Sequence, residues 1–289
     1  GFSAIEVQAK PNKAGFTPTI KVGGLIQTWF ESNTNSFLND TVNAQRNTNN
    51  FYIRRLRLKV VGEVVKNVKF HFQLRGDDPS GVNIRKAWIN LTHFSFANIM
   101  FGVIDLPFNY QFTFMGGGGQ LLTDRALANT KFGVRTDVGV QLHGAFMKKK
   151  IRYYLALSRG SVSSSGVTQA RNAGVTAGKG RGDGTLMVSG RLQYDHLGKV
   201  FKNAWFKKDL DFHIGAGFFY TKKSQNAGDK GGQDPKISSA TGITNLFGVS
   251  AEAGFNYKII YLLGGFTYIS GKDRATSANL VPFTGIYAD

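Results

Sequence analysis
The 289-residue chain has no cysteine, which removes disulfide frameworks and thiolate metal sites and suits a periplasm-exposed protein. It has no apolar run approaching the roughly 18 residues of a membrane-spanning helix. Its mean hydropathy of −0.18 still leaves room for a membrane barrel, because only every second strand residue of a barrel meets lipid. Acidic residues are scarce: 18 Asp and Glu face 36 Lys and Arg, a formal charge of +18. Neutralisation within the chain cannot be complete, so the partners to expect are anionic: nucleic acid, acidic lipid headgroups or small anions. Helical periodicity is hard to find anywhere. Nor does the start read as a signal peptide, since Gly1 is followed by Ile5, Val7 and Lys10 without a basic segment and apolar run. The expectation is a mature or trimmed product, or a protein that is not exported.

What is present is alternation. In residues 67–76, Val68, Phe70, Phe72 and Leu74 fall on one side of a strand, with Lys69, His71, Gln73 and Arg75 on the other. The pattern recurs and predicts eleven strands, at 18–31, 50–62, 67–76, 83–92, 96–105, 135–147, 150–159, 185–196, 210–221, 246–257 and 259–270. Two architectures share that pattern: a soluble sandwich with a wet outside, and a membrane barrel with a wet inside. The connections favour the second. Tight turns at 63–66, 93–95, 148–149 and around Lys258 alternate with long polar loops at 32–49, 106–134, 160–184 and 222–245. Short turns on one side and long loops on the other mark an up-and-down barrel of the outer membrane. Aromatics near strand ends, among them Phe51, Tyr52, Phe94, Phe96, Tyr153, Tyr154, Phe218 and Phe219, fit an interfacial girdle, although aromatics favour strands in any case.

The basic residues share one face. Arg55, Arg57 and Lys59 oppose Leu56, Leu58 and Val60, while Lys69, Arg75, Lys86, Arg152 and Arg191 keep the same parity on later strands. On the lipid side a charge at mid-bilayer costs about 2–4 kcal/mol, so these cations are expected to line a lumen and attract anions. The alternative at each site is an ion pair with an Asp or Glu across a generic pore. The Lys-rich turns, Lys148–Lys150 and Lys199–Lys208, read as solvated turn charges or as an anion-gathering mouth. The five histidines show no metal-ligand spacing, no nucleophile elbow is visible, and Gly116–Gly119 lacks the Lys-Ser/Thr of a phosphate-binding loop. Neither an enzyme nor a cofactor is expected.

Five segments resemble the phosphate-selective porin O and P family. They are Phe51–Leu58 with its paired arginines and following Gly62; Ile84-Arg85-Lys86-Ala87-Trp88-Ile89; Phe101–Phe108; Thr123-Asp124-Arg125-Ala126-Leu127; and Val138–Gly144. They run in the family's order through roughly the first 160 residues. The resemblance implies an all-β, transmembrane antiparallel up-and-down β-barrel of about 12–16 strands. It further implies a multi-pass barrel in a Gram-negative-type outer membrane, a homotrimer, and a passive pore for small anions such as phosphate. Arg125 joins the expected pore lining through its motif. Residues 1–17 read as an N-terminal segment and 18–289 as the barrel, whose loop 106–134 bends into the lumen through Gly116–Gly119. The family ends on an aromatic residue, whereas this chain ends Ile286-Tyr287-Ala288-Asp289, so either a smaller barrel or a missing C-terminal stretch is expected. Two other classes remain open: a scaffold barrel that sheathes a periplasmic or electron-transfer partner, and a soluble basic β protein that binds nucleic acid. The second would put aromatics beside the bases, and here most oppose them.

Overall fold
The computed structural model describes residues 5–8, 15–33, 48–78, 81–115, 134, 136–159, 186–200, 207–221, 243–258, 260–273 and 283–288. Thirteen strands form one antiparallel sheet among these residues. They are β1 (Ile5–Gln8), β2 (Thr19–Asn33), β3 (Thr48–Val65), β4 (Val68–Asp78), β5 (Gly81–Leu91), β6 (Asn98–Asp105) and β7 (Thr136–Phe146), followed by β8 (Ile151–Ser158), β9 (Met187–Asp195), β10 (Lys207–Thr221), β11 (Ile243–Lys258), β12 (Ile260–Asp273) and β13 (Phe283–Ala288). Each strand pairs with its neighbours in sequence, and β1 and β13 stand as the two edges of an open up-and-down sheet. The eleven expected strands correspond to β2–β12. Two were not expected. β1 lies in the segment read as a separate N-terminus but pairs with β2 through Ile5↔Val22 and Gln8↔Thr19, and β13 pairs with β12 through Phe266↔Ile286.

Turn chemistry separates the two ends. Among the described residues every non-glycine with positive φ lies at the short-turn end: Asn67 (65°), Met147 (49°), Lys148 (56°), Lys149 (69°) and Lys258 (53°). Tight reversals between twisted strands demand that conformation. The long connections 34–47, 106–135, 159–186, 222–242 and 274–282 all leave from the opposite end.

The two faces of the sheet are inverted relative to a soluble protein. On β9–β12 most of the buried side chains are polar: Ser189, Arg191, Gln193, Asp195, Asp211, His213, Ser250, Glu252, Asn256 and Thr267, beside the apolar Met187, Phe219, Leu263 and Ile269. The alternate positions are apolar and open, with Leu192 and Leu262 each 59% exposed and Ile214 57% exposed. The same apolar face continues through Phe101, Val140, Leu142, Leu155 and Leu157 on β6–β8. No second layer covers it among the described residues, and in water such a face would drive aggregation. Strands of nine or more residues, such as β9, are long enough to cross the hydrocarbon layer when tilted.

Part of the aromatic girdle stands where expected. Phe94 and Phe96 are exposed at the short-turn end, and Tyr153 stacks on Phe146 with its hydroxyl donating to the Phe96 carbonyl at 2.7 Å. Three of the aromatics read as girdle face inward instead. Phe219 is fully buried, Tyr154 lies over His143, and Tyr52 packs edge-on against Trp29.

Pore lining and a pinned constriction segment
The inner face of β3–β5 carries a column of cations in successive cross-strand rows. Arg57 faces Arg75, Lys59 faces Gln73, and Gln73 faces Lys86. Lys69 sits between Glu63 and Asn90. Two irregularities add to the column. The register jumps from Gln27↔Arg55 to Thr28↔Ile53, which leaves Arg54 as an extra residue in a bulge. It jumps again from Gln73↔Lys86 to Leu74↔Ile84, which does the same for Arg85. Strict alternation would turn one member of each adjacent pair, Arg54-Arg55 and Arg85-Lys86, toward lipid. The bulges avoid that cost. Arg54 lies over the inward Trp29 ring at 5.1 Å, and Arg85 sits in the field of Asp105, Arg57, Arg75 and Asp77.

The expected lining residues divide into two groups. Arg55 is buried and donates to Gln27 Oε1; Lys59 and Lys69 are exposed and form no ion pair among the described residues; Arg75 is half-buried. The other four are paired with acids: Arg57 with Asp77, Lys86 with Asp105, Arg152 with Asp195 at 2.8 Å, and Arg191 with Glu252 at 2.8 Å. Arg152 also donates to the Gly198 carbonyl at 2.7 Å and so ties the short-turn end of β8 to the turn after β9. Arg125 and Gly116–Gly119 lie outside the described residues.

Arg191 has a different task from the open column. The described part of the connection after β6, residues 106–115, runs along the inner face of β9–β12 and includes the single turn α1 (Tyr110–Thr113). Leu106, Phe108 and Tyr110 are fully buried there. Leu106 and Phe108 join Ile104, Val134, Ala156, Met187, Phe219 and Ile269 in an apolar cluster, with Phe108 edge-on to Phe219 at 4.8 Å. Burying such a Phe side chain contributes about 1.5–3 kcal/mol.

Polar contacts fix the register of this segment. Arg191 Nη1 donates to Glu252 Oε2 at 2.8 Å and to the Phe108 carbonyl at 3.2 Å. Ser250 Oγ donates to the same carbonyl at 2.8 Å, and the Tyr110 amide donates to Glu252 Oε1 at 2.6 Å. Tyr110 stacks on His213 at 3.9 Å with the Arg191 guanidinium 5.4 Å from its ring centre. Glycine makes the approach possible: a Cβ on Gly217 would lie 2.0 Å from the Phe108 oxygen, and one on Gly215 would lie 2.2 Å from Arg191 Nη2.

Parity found Arg191 but not the other residues that fix this segment. Glu252, Ser250, Phe108 and Tyr110 lie far away along the chain, and the only local signals are the Gly-x-Gly of 215–217 and a lone Glu in an otherwise small-residue strand.

An antiparallel sheet with lipid-type side chains outside, charges inside and a chain segment pinned across the inner wall defines a porin-type transmembrane barrel protein. The sequence description of the family "Phosphate-selective porin O and P" matches residues 30–228. The chain belongs to that family, which consists of channels and not of enzymes. Among individually curated proteins, none matches the chain.

Proposed function
We propose that this protein is a passive, anion-biased diffusion channel for small solutes such as phosphate, seated in the outer membrane and assembled as a homotrimer. The observation that carries the reading is the cation column on the inner face of β3–β5, above all Lys59 and Lys69, which are exposed there and form no ion pair among the described residues. Same-face residues on a strand stand about 7 Å apart, so an anion leaving one cation is already within the roughly 8 Å screening length of the next. Overlap of that kind allows entry without trapping, which conduction requires. Arg75 and Arg85 add guanidinium groups, a chemistry that suits phosphate oxygens. Asp77 and Asp105 temper the column at Arg57 and Lys86, which leaves Lys59 and Lys69 as the open positions. Residues 106–115 narrow the lumen along β9–β12, with Arg191 and Glu252 as their anchor.

The test is selectivity after charge removal. Lys59→Gln with Lys69→Gln retains bulk and hydrogen bonding but deletes two charges, so the reversal potential in a salt gradient moves toward cation permeability. An unchanged reversal potential at low salt places these side chains away from the conduction path. Chemical cross-linking of the detergent-extracted protein checks the trimer, and a species no larger than one chain counts against it.

A further inference from the structure
The cation column is interleaved with aromatic rings, and those rings bear on which anions the channel takes. In one cross-strand row Lys59, Gln73 and Lys86 stand side by side on β3, β4 and β5. In the next row of the same face, Val61, His71 and Trp88 do. The His71 and Trp88 rings lie 5.1 Å apart at 48°. Trp88 is supported from behind by the apolar cluster around Ile104 and Phe108, which holds its indole in place. His71 Nε2 is buried and has no hydrogen-bond partner among the described residues, which marks the polar end of this ring pair as unsatisfied. About 20 Å further along β3, toward the long-loop mouth, the arrangement repeats: Trp29 and Tyr52 meet edge-on at 6.1 Å, with Arg54 over the Trp29 ring.

Inorganic phosphate is small and fully hydrated, and an indole offers it nothing. A solute with a planar ring and an acidic group uses both rows at once: the roughly 7 Å between them matches the reach from a nucleobase to its 5′-phosphate, and the flexible Lys59 side chain spans the shorter reach of a phenyl phosphate. We propose that the wall formed by β3, β4 and β5 is a binding station for ring-bearing anions, such as an aryl phosphate or a nucleoside monophosphate. The ring lies against His71 and Trp88, and the acid group sits at Lys59, beside Lys86 in its ion pair with Asp105. The Trp29–Tyr52–Arg54 group receives the same solutes at the mouth. The proposal rests on the anion-channel reading and narrows its solute class.

The full chain in planar bilayers tests it. Inorganic phosphate, cyclohexyl phosphate, phenyl phosphate and adenosine monophosphate are added separately, and the concentration that halves the chloride current is recorded. Stacking of one ring gives phenyl phosphate about a tenfold advantage over cyclohexyl and inorganic phosphate. Trp88→Leu lowers that ratio to about one, whereas Trp88→Phe keeps most of it. Should Trp88→Leu not assemble, as read from its heat-modifiable gel mobility, His71→Leu carries the same comparison. Adenosine monophosphate blocking at lower concentration than phenyl phosphate assigns the station to nucleobases, and the reverse order assigns it to simple aryl groups. Equal half-block by phenyl and cyclohexyl phosphate overturns the proposal, as does an assembled Trp88→Leu channel that keeps the tenfold ratio. Failure of the underlying reading looks different: a cation-selective current that no phosphate blocks, which overturns both.

Discussion
Arg191 and Glu252 show how a single residue pair pins a chain segment to the inner wall. Both side chains are fully buried, and each also holds the backbone of residues 108–110. A buried ion pair is stabilising only relative to its broken form, and removal of one partner typically costs about 3–5 kcal/mol because the other charge is left stranded. Glu252→Gln is therefore expected to lower the unfolding temperature and to release residues 106–115, with a rise in single-channel conductance. Removing both charges in Arg191→Met with Glu252→Leu costs less stability than either single change. A correctly inserted Glu252→Gln channel of unchanged conductance would show that this segment does not limit the pore. Gly217→Ala acts on the same carbonyl from the other side, by steric displacement of Phe108. At this scale the sequence is legible by half. Alternation puts Arg55, Arg57, Lys59, Arg152 and Arg191 on the inner face, but which acid meets which base depends on contacts that span from 19 residues, Lys86 to Asp105, to 61, Arg191 to Glu252, and the hydrogen bond from the Tyr110 amide to Glu252 spans 142. No local pattern encodes them.

At the scale of the element, β3 and β5 hold the lesson of the bulges. A period of two is strong enough to reveal β2–β12, because each shows a nearly continuous apolar row on its lipid side. It reveals neither β1, with four residues, nor β13, where Gly285 interrupts a six-residue run. It also passes over Arg54 and Arg85, although two adjacent basic residues within an alternating strand are themselves the sign of an inserted residue. Deletion of Arg54 removes the extra residue and restores strict alternation, so Phe51 and Ile53, 80% and 50% exposed on the lipid side, keep their face. The deletion variant is therefore expected to retain the heat-modifiable mobility of an assembled barrel, as Arg54→Gln does. If the deletion variant fails to assemble, the bulge itself is needed to set the register.

For the whole molecule, the inverted faces make the exposure of each strand position predictable. The chain has no cysteine, so single cysteines report without background. In membranes, a charged water-soluble thiol reagent is expected to label Lys59→Cys readily and to spare Leu58→Cys, although the two are neighbours in sequence and Leu58 is 50% exposed. The same inversion requires detergent for extraction, and a monodisperse soluble monomer in plain buffer would contradict it. The central claim joins that inversion to the excess of bases on the inner wall. It is tested most directly by the reversal potential of single channels in a potassium chloride gradient, taken at low and at high salt. The account predicts a sign that reports chloride as the more permeant ion at low salt, with a smaller bias near 1 M, where the screening length falls to about 3 Å. A potential that reports potassium as the more permeant ion, or an anion bias that does not weaken with salt, would contradict it.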